Sequence, residues 1–303
     1  MRRIIKGPKV TWVDIQDPAQ ADVNYLKENF NFHPLILGEL IPPGHRPKVE
    51  QYNNYLFMIF YYPVYSKESR ETRPRELDII VTKNVLITSH YRSILPLKNI
   101  FDNCNIKPGL RKKYMSWSAG FLLFSILSSI WKSYMIKLDR INSKIEMIEN
   151  RMFKGEERKM VREISVVKMD IINFWRIIEP QVEILNSLSK EGTIFFGEKF
   201  SPYFSDILGT AGQAWNSLKT FKETILALED TNQSLLSTKT NEVIRVLTVF
   251  SVILLPLTLI ASIWGMNVNL PFSDSVLGFG IILLIMLFST FFLVFYFRKK
   301  RWM

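Results

Sequence analysis

A chain of 303 residues with 48% hydrophobic content can bury a core, as one large domain or two ordinary ones. Its formal charge of +11 admits nucleic acid, anionic lipid or the cytoplasmic face of a membrane as a partner. The lone Cys104 excludes an intrachain disulfide and suits a reducing compartment.

The N-terminal stretch is basic but has no apolar run of signal-peptide length, so the body it opens is expected to stay in the cytoplasm. Residues 20–41 read as helical, with Pro34 opening the second half. Residues 55–65 and 77–90 are rich in β-branched and aromatic side chains, and Lys83-Asn84 offers a hairpin turn between strands. Residues 1–113 are therefore expected to form an α/β domain. From 114 to 200 the apolar period becomes helical, predicting two long antiparallel helices broken around Gly155 and Pro180.

Between Pro202 and Pro256 there is no proline. Phe204, Ile207, Ala211, Ala214, Leu218, Phe221, Ile225 and Leu228 recur in steps of three and four, the seam of a helix packing against like helices. Gly209 and Gly212 weaken its start. No stop signal follows, so a stalk over 201–245 is expected to run on into an apolar segment as one helix of about 90 Å. So long a helix argues for a homo-oligomeric bundle along a membrane normal.

Residues 246–263 and 276–297 hold 18 and 22 residues without a charge. Each suffices to cross roughly 30 Å of hydrocarbon as a helix. The first span with its exit covers 246–267, a short external loop 268–275, the second span 276–297 and a basic tail 298–303. Arg298, Lys299, Lys300 and Arg301 follow the second span, whereas the loop has no Lys or Arg, which places both termini in the cytoplasm of a multi-pass cell-membrane protein. The tail reads as an orientation signal and lipid anchor. It flanks a membrane helix and has no aromatic-basic platform, so nucleic acid is the least favoured partner.

Two spans cannot enclose a pore, so transport would need several subunits around an axis. Asn241, Ile244, Leu247, Ser251, Leu255, Thr258 and Ser262 continue the axial stripe without a charge. Such a stripe serves ordinary helix packing equally well. The second span has few polar residues beyond Ser289 and Thr290, as suits an outer, lipid-facing ring. That contrast favours a central pore in which Leu247 and Leu255 are apolar constrictions.

The sequence "IWGMN" at the external end of the first span resembles the Gly-Met-Asn signature of the CorA magnesium transporter family. The stretch 240–267, the segments "TWVDIQDP", "HPLILGEL", "HRPKVEQYNNYLFMIF" and "TKNVLITSH", and the tail "RKKRW" are similar to it as well, so the resemblance spans nearly the whole chain. It implies a homopentamer with a cytoplasmic funnel, whose stalk helix continues into the pore-lining helix. The fold class expected is thus α+β: a cytoplasmic α/β domain, long antiparallel helices and a very long stalk leading into a two-helix membrane region. Asn267 would form the outer ring that binds hydrated Mg²⁺, with Gly265 and Met266 shaping the turn. Asn241, Leu247, Leu255 and Thr258 match family pore positions. The family's inhibitory cytoplasmic Mg²⁺ site would fall on Asp206 and on Glu39, which stands where an aspartate is usual. The loop carries one acid, Asp274, where many members have an acidic cluster, which weakens steering of cations to the mouth.

Mg²⁺ holds its water tightly, and a ring of amide carbonyls can bind the hydrated ion through its waters, loosely enough to release it. The expectation is passive, potential-driven Mg²⁺ influx gated by internal Mg²⁺. The same architecture carrying Co²⁺, Ni²⁺ or Zn²⁺ is the first alternative, although zinc-transporting relatives usually show Gly-Val-Asn. A non-conducting two-span sensor is the second. No enzyme activity or organic cofactor is expected: there is no phosphate-binding GxxxxGK[ST] loop and no nucleophile motif. His33, His45 and His90 have no zinc-like spacing with Cys104 and read as structural or solvated.

Overall fold

A computed structural model of the chain describes residues 1–66, 71–266, 276–300 and 302. Two compact units divide it, Met1–Glu229 and Asp230–Met303.

The first unit is built on six strands: β1 Arg2–Lys6, β2 Thr11–Gln16, β3 Lys48–Gln51, β4 Leu56–Ser66, β5 Glu71–Val81 and β6 Val85–His90. Their spatial order is β1-β2-β6-β5-β4-β3. All neighbours are antiparallel except β2 and β6, which pair parallel with Thr11 opposite Val85. The expected turn at Lys83-Asn84 is present, closed by the Thr82 N–H donating to the Val85 carbonyl at 2.9 Å. The Thr82 hydroxyl oxygen also accepts from Asn84 and Val85 N–H groups, which is why this pair turns without a glycine.

Strand β4 is buried on both faces, so helices must cover both. Helices α1 (Gln20–Asn29) and α2 (Pro34–Glu39) close one face over Phe57, Ile59, Ile80 and Ile87. Pro34 opens α2 as expected, and His33 caps it by accepting the Leu35 N–H at 3.2 Å. Helices α3 (Leu95–Ile106), α4 (Pro108–Met115), α5 (Ala119–Arg151) and α6 (Glu157–Phe196) follow. Trp131 and Tyr134 of α5 and Gln181 of α6 line the other face with Phe60, Tyr62 and Leu77.

The break expected at Gly155 is a kink between α5 and α6 over Met152–Glu156, in which Gly155 leaves the helical conformation with φ 89°. A side chain there would strain the backbone, so the glycine is needed. The break expected at Pro180 does not occur, and α6 continues through it. Proline removes one rung of the helix ladder. The rung lost here is the one to the Arg176 carbonyl; one residue on, the buried Gln181 donates its side-chain amide to the Ile177 carbonyl at 2.8 Å. Its amide oxygen accepts the Tyr61 N–H of β4 at 3.4 Å, which ties α6 to the sheet beside the proline.

Helix α7 covers Ser201–Trp264 without interruption, including Pro256, as the missing stop signals predicted. Its seam is buried by the chain itself rather than awaiting like helices: Phe204, Ile207, Ala211, Ala214, Leu218, Ile225 and Leu228 are all buried. Phe204 sits over Gly192 of α6, where a Cβ would come within 2.7 Å of the ring. Trp175 and Trp215 meet at a 43° tilt with centroids 3.9 Å apart, and Lys168 pairs with Glu229 at 2.7 Å. A three-four repeat marks a covered face without saying which chain covers it.

In the second unit the rest of α7 is joined by α8, Val276–Lys299. Among the described residues three stretches are long and apolar enough to cross a membrane: Ala119–Phe196, Glu198–Trp264 and Val276–Lys299. The apolar window of the first is half buried within its own unit, as a core helix requires, whereas those of the other two are almost bare.

Candidate ion path and regulatory acids

Within the second unit the membrane part of α7 has two unlike faces. Val249 is 2% exposed, and Ile253, Pro256, Leu257, Ile260 and Trp264 are half-buried. On a helix these positions share one side. On α8 the covered positions are Gly278, Gly280, Ile282, Met286, Ser289, Thr290, Leu293, Val294 and Phe297, all but Gly280 on one side. As α8 is the only other described element of this unit, these are the faces through which the two helices meet. Phe288, Phe291 and Phe295 point the other way and are exposed, as a lipid-facing side would be.

Asn241, Ile244, Leu247, Ser251, Leu255, Thr258 and Ser262 lie opposite the face that meets α8, and every one is exposed. Leu247 and Leu255 are each 66% exposed, too bare for single-chain packing. The hydroxyls are satisfied locally, Ser251 donating to the Leu247 carbonyl and Thr258 to the Leu255 carbonyl, both at 2.9 Å. Each oxygen keeps acceptor capacity on the bare face. This face offers alternating oxygen acceptors and bulky apolar side chains, with no charge.

At its end the helix tightens. Gly265 N–H donates to the Ala261 carbonyl at 2.9 Å and Met266 N–H to Ile263 at 3.3 Å. A Cβ on Gly265 would stand 3.0 Å from the Ala261 carbonyl oxygen, so glycine here eases a tight approach of backbone rather than serving a left-handed turn. Met266 is exposed. Asn267, the loop with Asp274, and Arg301 lie outside the described residues. Of the basic tail, Arg298 and Lys299 end α8 and Lys300 is exposed. Trp302 folds back, donating its N–H to the Phe297 carbonyl at 3.0 Å, with ring centroids 5.9 Å apart.

The two expected regulatory acids are placed differently. Asp206 is exposed on α7. Glu39 ends α2, and Lys48 of β3 holds both its oxygens, at 2.9 and 2.8 Å. The same ammonium reaches Glu50 at 2.9 Å. Burial would lower the Lys48 pKa, but its bonds to Glu39 and Glu50 prevail and raise it. Sequence reasoning missed the neighbours. Glu76 and Asp78 of β5 are buried near Glu39 on the face closed by α2. Burial pushes the Asp78 carboxyl well above the usual range, with Glu76 and then Glu39 adding to it. Glu76 accepts the Gly44 N–H at 2.6 Å and the Tyr61 hydroxyl at 3.0 Å. Two acids at i and i+2 in an apolar strand were the available signal. Among the described residues no three His, Cys, Asp or Glu side chains are grouped as metal ligands. His90 is buried against Asp14 at 3.3 Å, a structural partner.

The family model for the CorA-like Mg²⁺ transporter protein matches residues 8–299. The chain belongs to this family. Its members are transporters rather than enzymes, and the resemblance read from "IWGMN" holds along the chain. A cobalt/magnesium transport protein CorA of Thermotoga maritima is 29% identical over 295 residues, covering 97% of this chain and 83% of that protein. The complete structure of the CorA magnesium transporter from Methanocaldococcus jannaschii has the same fold, with a TM-score of 0.83 at 22% identity, covering 97% of this chain and 92% of that one. A zinc transport protein ZntB of Photorhabdus laumondii is 20% identical over 245 residues, 78% of this chain and 71% of that protein. The CorA-like family thus also includes likenesses named for other divalent ions.

Proposed function

We propose that this chain carries Mg²⁺ into the cell passively, as a homopentamer whose bare α7 stripes converge on a common axis. The observation that carries the reading is the two-faced helix: α8 covers one side, and the uncharged stripe from Asn241 to Ser262 is left exposed and leads to Gly265-Met266. Residues 246–267 and 276–297 would cross the membrane twice, with both termini cytoplasmic. At the external end, Asn267 would form an amide ring that holds a hydrated ion through its waters. Mg²⁺ dehydrates reluctantly, so a ring that leaves most of the shell in place avoids the slowest step. Leu247 and Leu255 would close the path by dewetting when the helices tighten. For a divalent ion the membrane potential supplies about 4.6 kcal/mol per 100 mV, at roughly 2.3 per charge, so no nucleotide hydrolysis is needed to drive influx. Arg298 to Arg301 would form a basic collar at the cytoplasmic surface, and internal Mg²⁺ bound through Glu39 and Asp206 would favour closure. Co²⁺ is the second reading, supported by the relative named for cobalt and magnesium.

Flux into liposomes holding a Mg²⁺-sensitive dye tests this. Wild type is expected to take up Mg²⁺ faster when the interior is negative, and Asn267→Ala to lose most of that uptake while still inserting and assembling. Unchanged uptake in the variant overturns the filter, and no uptake of any divalent ion by wild type leaves a sensor as the better account.

A further inference from the structure

One end of the sheet-bearing unit carries an open cleft that the ion path does not use. Two adjoining openings of about 520 and 830 Å³ share Lys9, Trp117, Ser118, Lys199 and Phe200. Their walls come from four places in the chain: the turn between β1 and β2, the Lys83-Asn84 turn, the α4–α5 junction and the α6–α7 junction. Main-chain bonds fix these walls to one another. Lys9 N–H donates to the Met115 carbonyl at 3.1 Å, Thr11 N–H to Asn84 at 2.9 Å, and Ala119 N–H to Lys83 at 3.4 Å. Gly7 lets the first turn sit against α4, since a Cβ there would come within 2.5 Å of the Met115 Cβ. Gly120 admits the Phe196 ring from the fourth wall, where a Cβ would lie 2.9 Å away. A ligand therefore meets a preformed site and need not order its walls.

The lining is one-signed. Lys9, Lys83 and Lys199 are exposed, none is in an ion pair among the described residues, and no Asp or Glu lines either opening. Like charges are held together here without a counter-ion, a cost that an anionic occupant would remove. Between them Trp117 is 65% exposed. Its indole is held from one side by Phe121, with centroids 5.2 Å apart and a 35° tilt, which leaves ring surface open to the cleft. The Ser116 hydroxyl oxygen lines the narrower opening, is buried and has no hydrogen-bond partner among the described residues. Three ammonium groups and a fixed aromatic face ask for one ligand with a flat ring and several negative charges.

We propose that this cleft binds a nucleoside polyphosphate, its base stacked on Trp117 and its phosphates held by Lys9, Lys83 and Lys199. The proposal does not depend on which ion the chain carries. Calorimetric titration of the full-length protein in detergent with sodium ATP, without added divalent ion, tests it. Saturable binding is expected, with adenosine and tripolyphosphate each weaker by about tenfold or more, since each keeps half of the contacts. Lys83→Glu with Lys199→Glu, and separately Trp117→Ala, are expected to weaken ATP by a similar factor. Lys112→Glu with Lys113→Glu, on α4 away from the lining, should leave it unchanged. The side chains changed are all exposed, so circular dichroism should show an intact fold. Absence of saturable ATP binding overturns the proposal. So does tripolyphosphate binding as tightly as ATP, which would mark a plain anion site, or a change of oligomer mass in the Lys83/Lys199 variant, which would mark a contact between copies.

Discussion

Lys48 brings a tethered cation to the place where the family resemblance puts a regulatory metal ligand. With both oxygens of Glu39 taken by one ammonium, an incoming Mg²⁺ must compete with a partner that is always present. Lys48→Met should therefore free Glu39 and lower the internal Mg²⁺ concentration that half-inhibits flux, by about tenfold for a partly buried pair. Asp206→Ala should raise it, and unaltered inhibition in both variants would remove these acids from gating. Asp78 poses a separate cost. Its carboxyl titrates near 3.8 when unfolded and well above that in the fold, where burial and then the carboxylates of Glu76 and Glu39 oppose its charge. Its contribution to stability is complete below 3.8 and is lost as pH rises through the raised folded value. Asp78→Asn, which keeps the shape and cannot ionise, is expected to raise the melting temperature at neutral pH, with the gain shrinking towards pH 4. A lower melting temperature at neutral pH would show that the carboxyl is doing something its charge state does not explain.

At the scale of elements, Gln181 ties α6 to the sheet one residue after Pro180. It serves the Ile177 carbonyl beside Pro180 and the Tyr61 N–H of β4 from a fully buried position. Gln181→Leu fills the same volume but takes the side-chain acceptor away from the Tyr61 N–H, and thermal unfolding should report a loss of about 1–3 kcal/mol. A variant as stable as wild type would mean that this tie between α6 and the sheet adds nothing. The same comparison explains what could be read in advance. The Lys83-Asn84 turn, the Gly155 break and the length of α7 rest on signals within a few residues, and each is where it was expected. The tie from Gln181 to Tyr61 beside Pro180 has its other anchor in β4, more than a hundred residues away. The Glu39–Lys48–Glu50 contacts and the burial of Glu76 and Asp78 depend on two strands and a helix meeting. For α7 the repeat gave the covered face, but only the fold shows that α5 and α6 cover its first half. The stripe from Asn241 onward has the same period, yet it stays bare.

That difference bears on the whole molecule. If the first half of α7 is sealed within its own chain, the case for assembly moves to the apolar second half, where the exposed face opposite α8 has no cover. A face bearing Leu247 and Leu255 but also Ser251 and Thr258 is a poor lipid face and a good shared one. In a closed ring every copy presents this same face to the axis, so identical residues approach one another. The chain's single Cys104 is buried, so Cys104→Ser gives a thiol-free background in which one cysteine reports one position. Disulfides need Cα atoms within about 7 Å, which only a tight axial constriction provides. Leu255→Cys should therefore cross-link to dimers on oxidation in membranes, with one thiol of every five left over, whereas Phe291→Cys on the outer side of α8 should stay monomeric on the same gel. Cross-linking at Phe291 without cross-linking at Leu255 would turn the helix pair inside out. It would make the bare stripe of α7 lipid-facing and leave the pore without a wall.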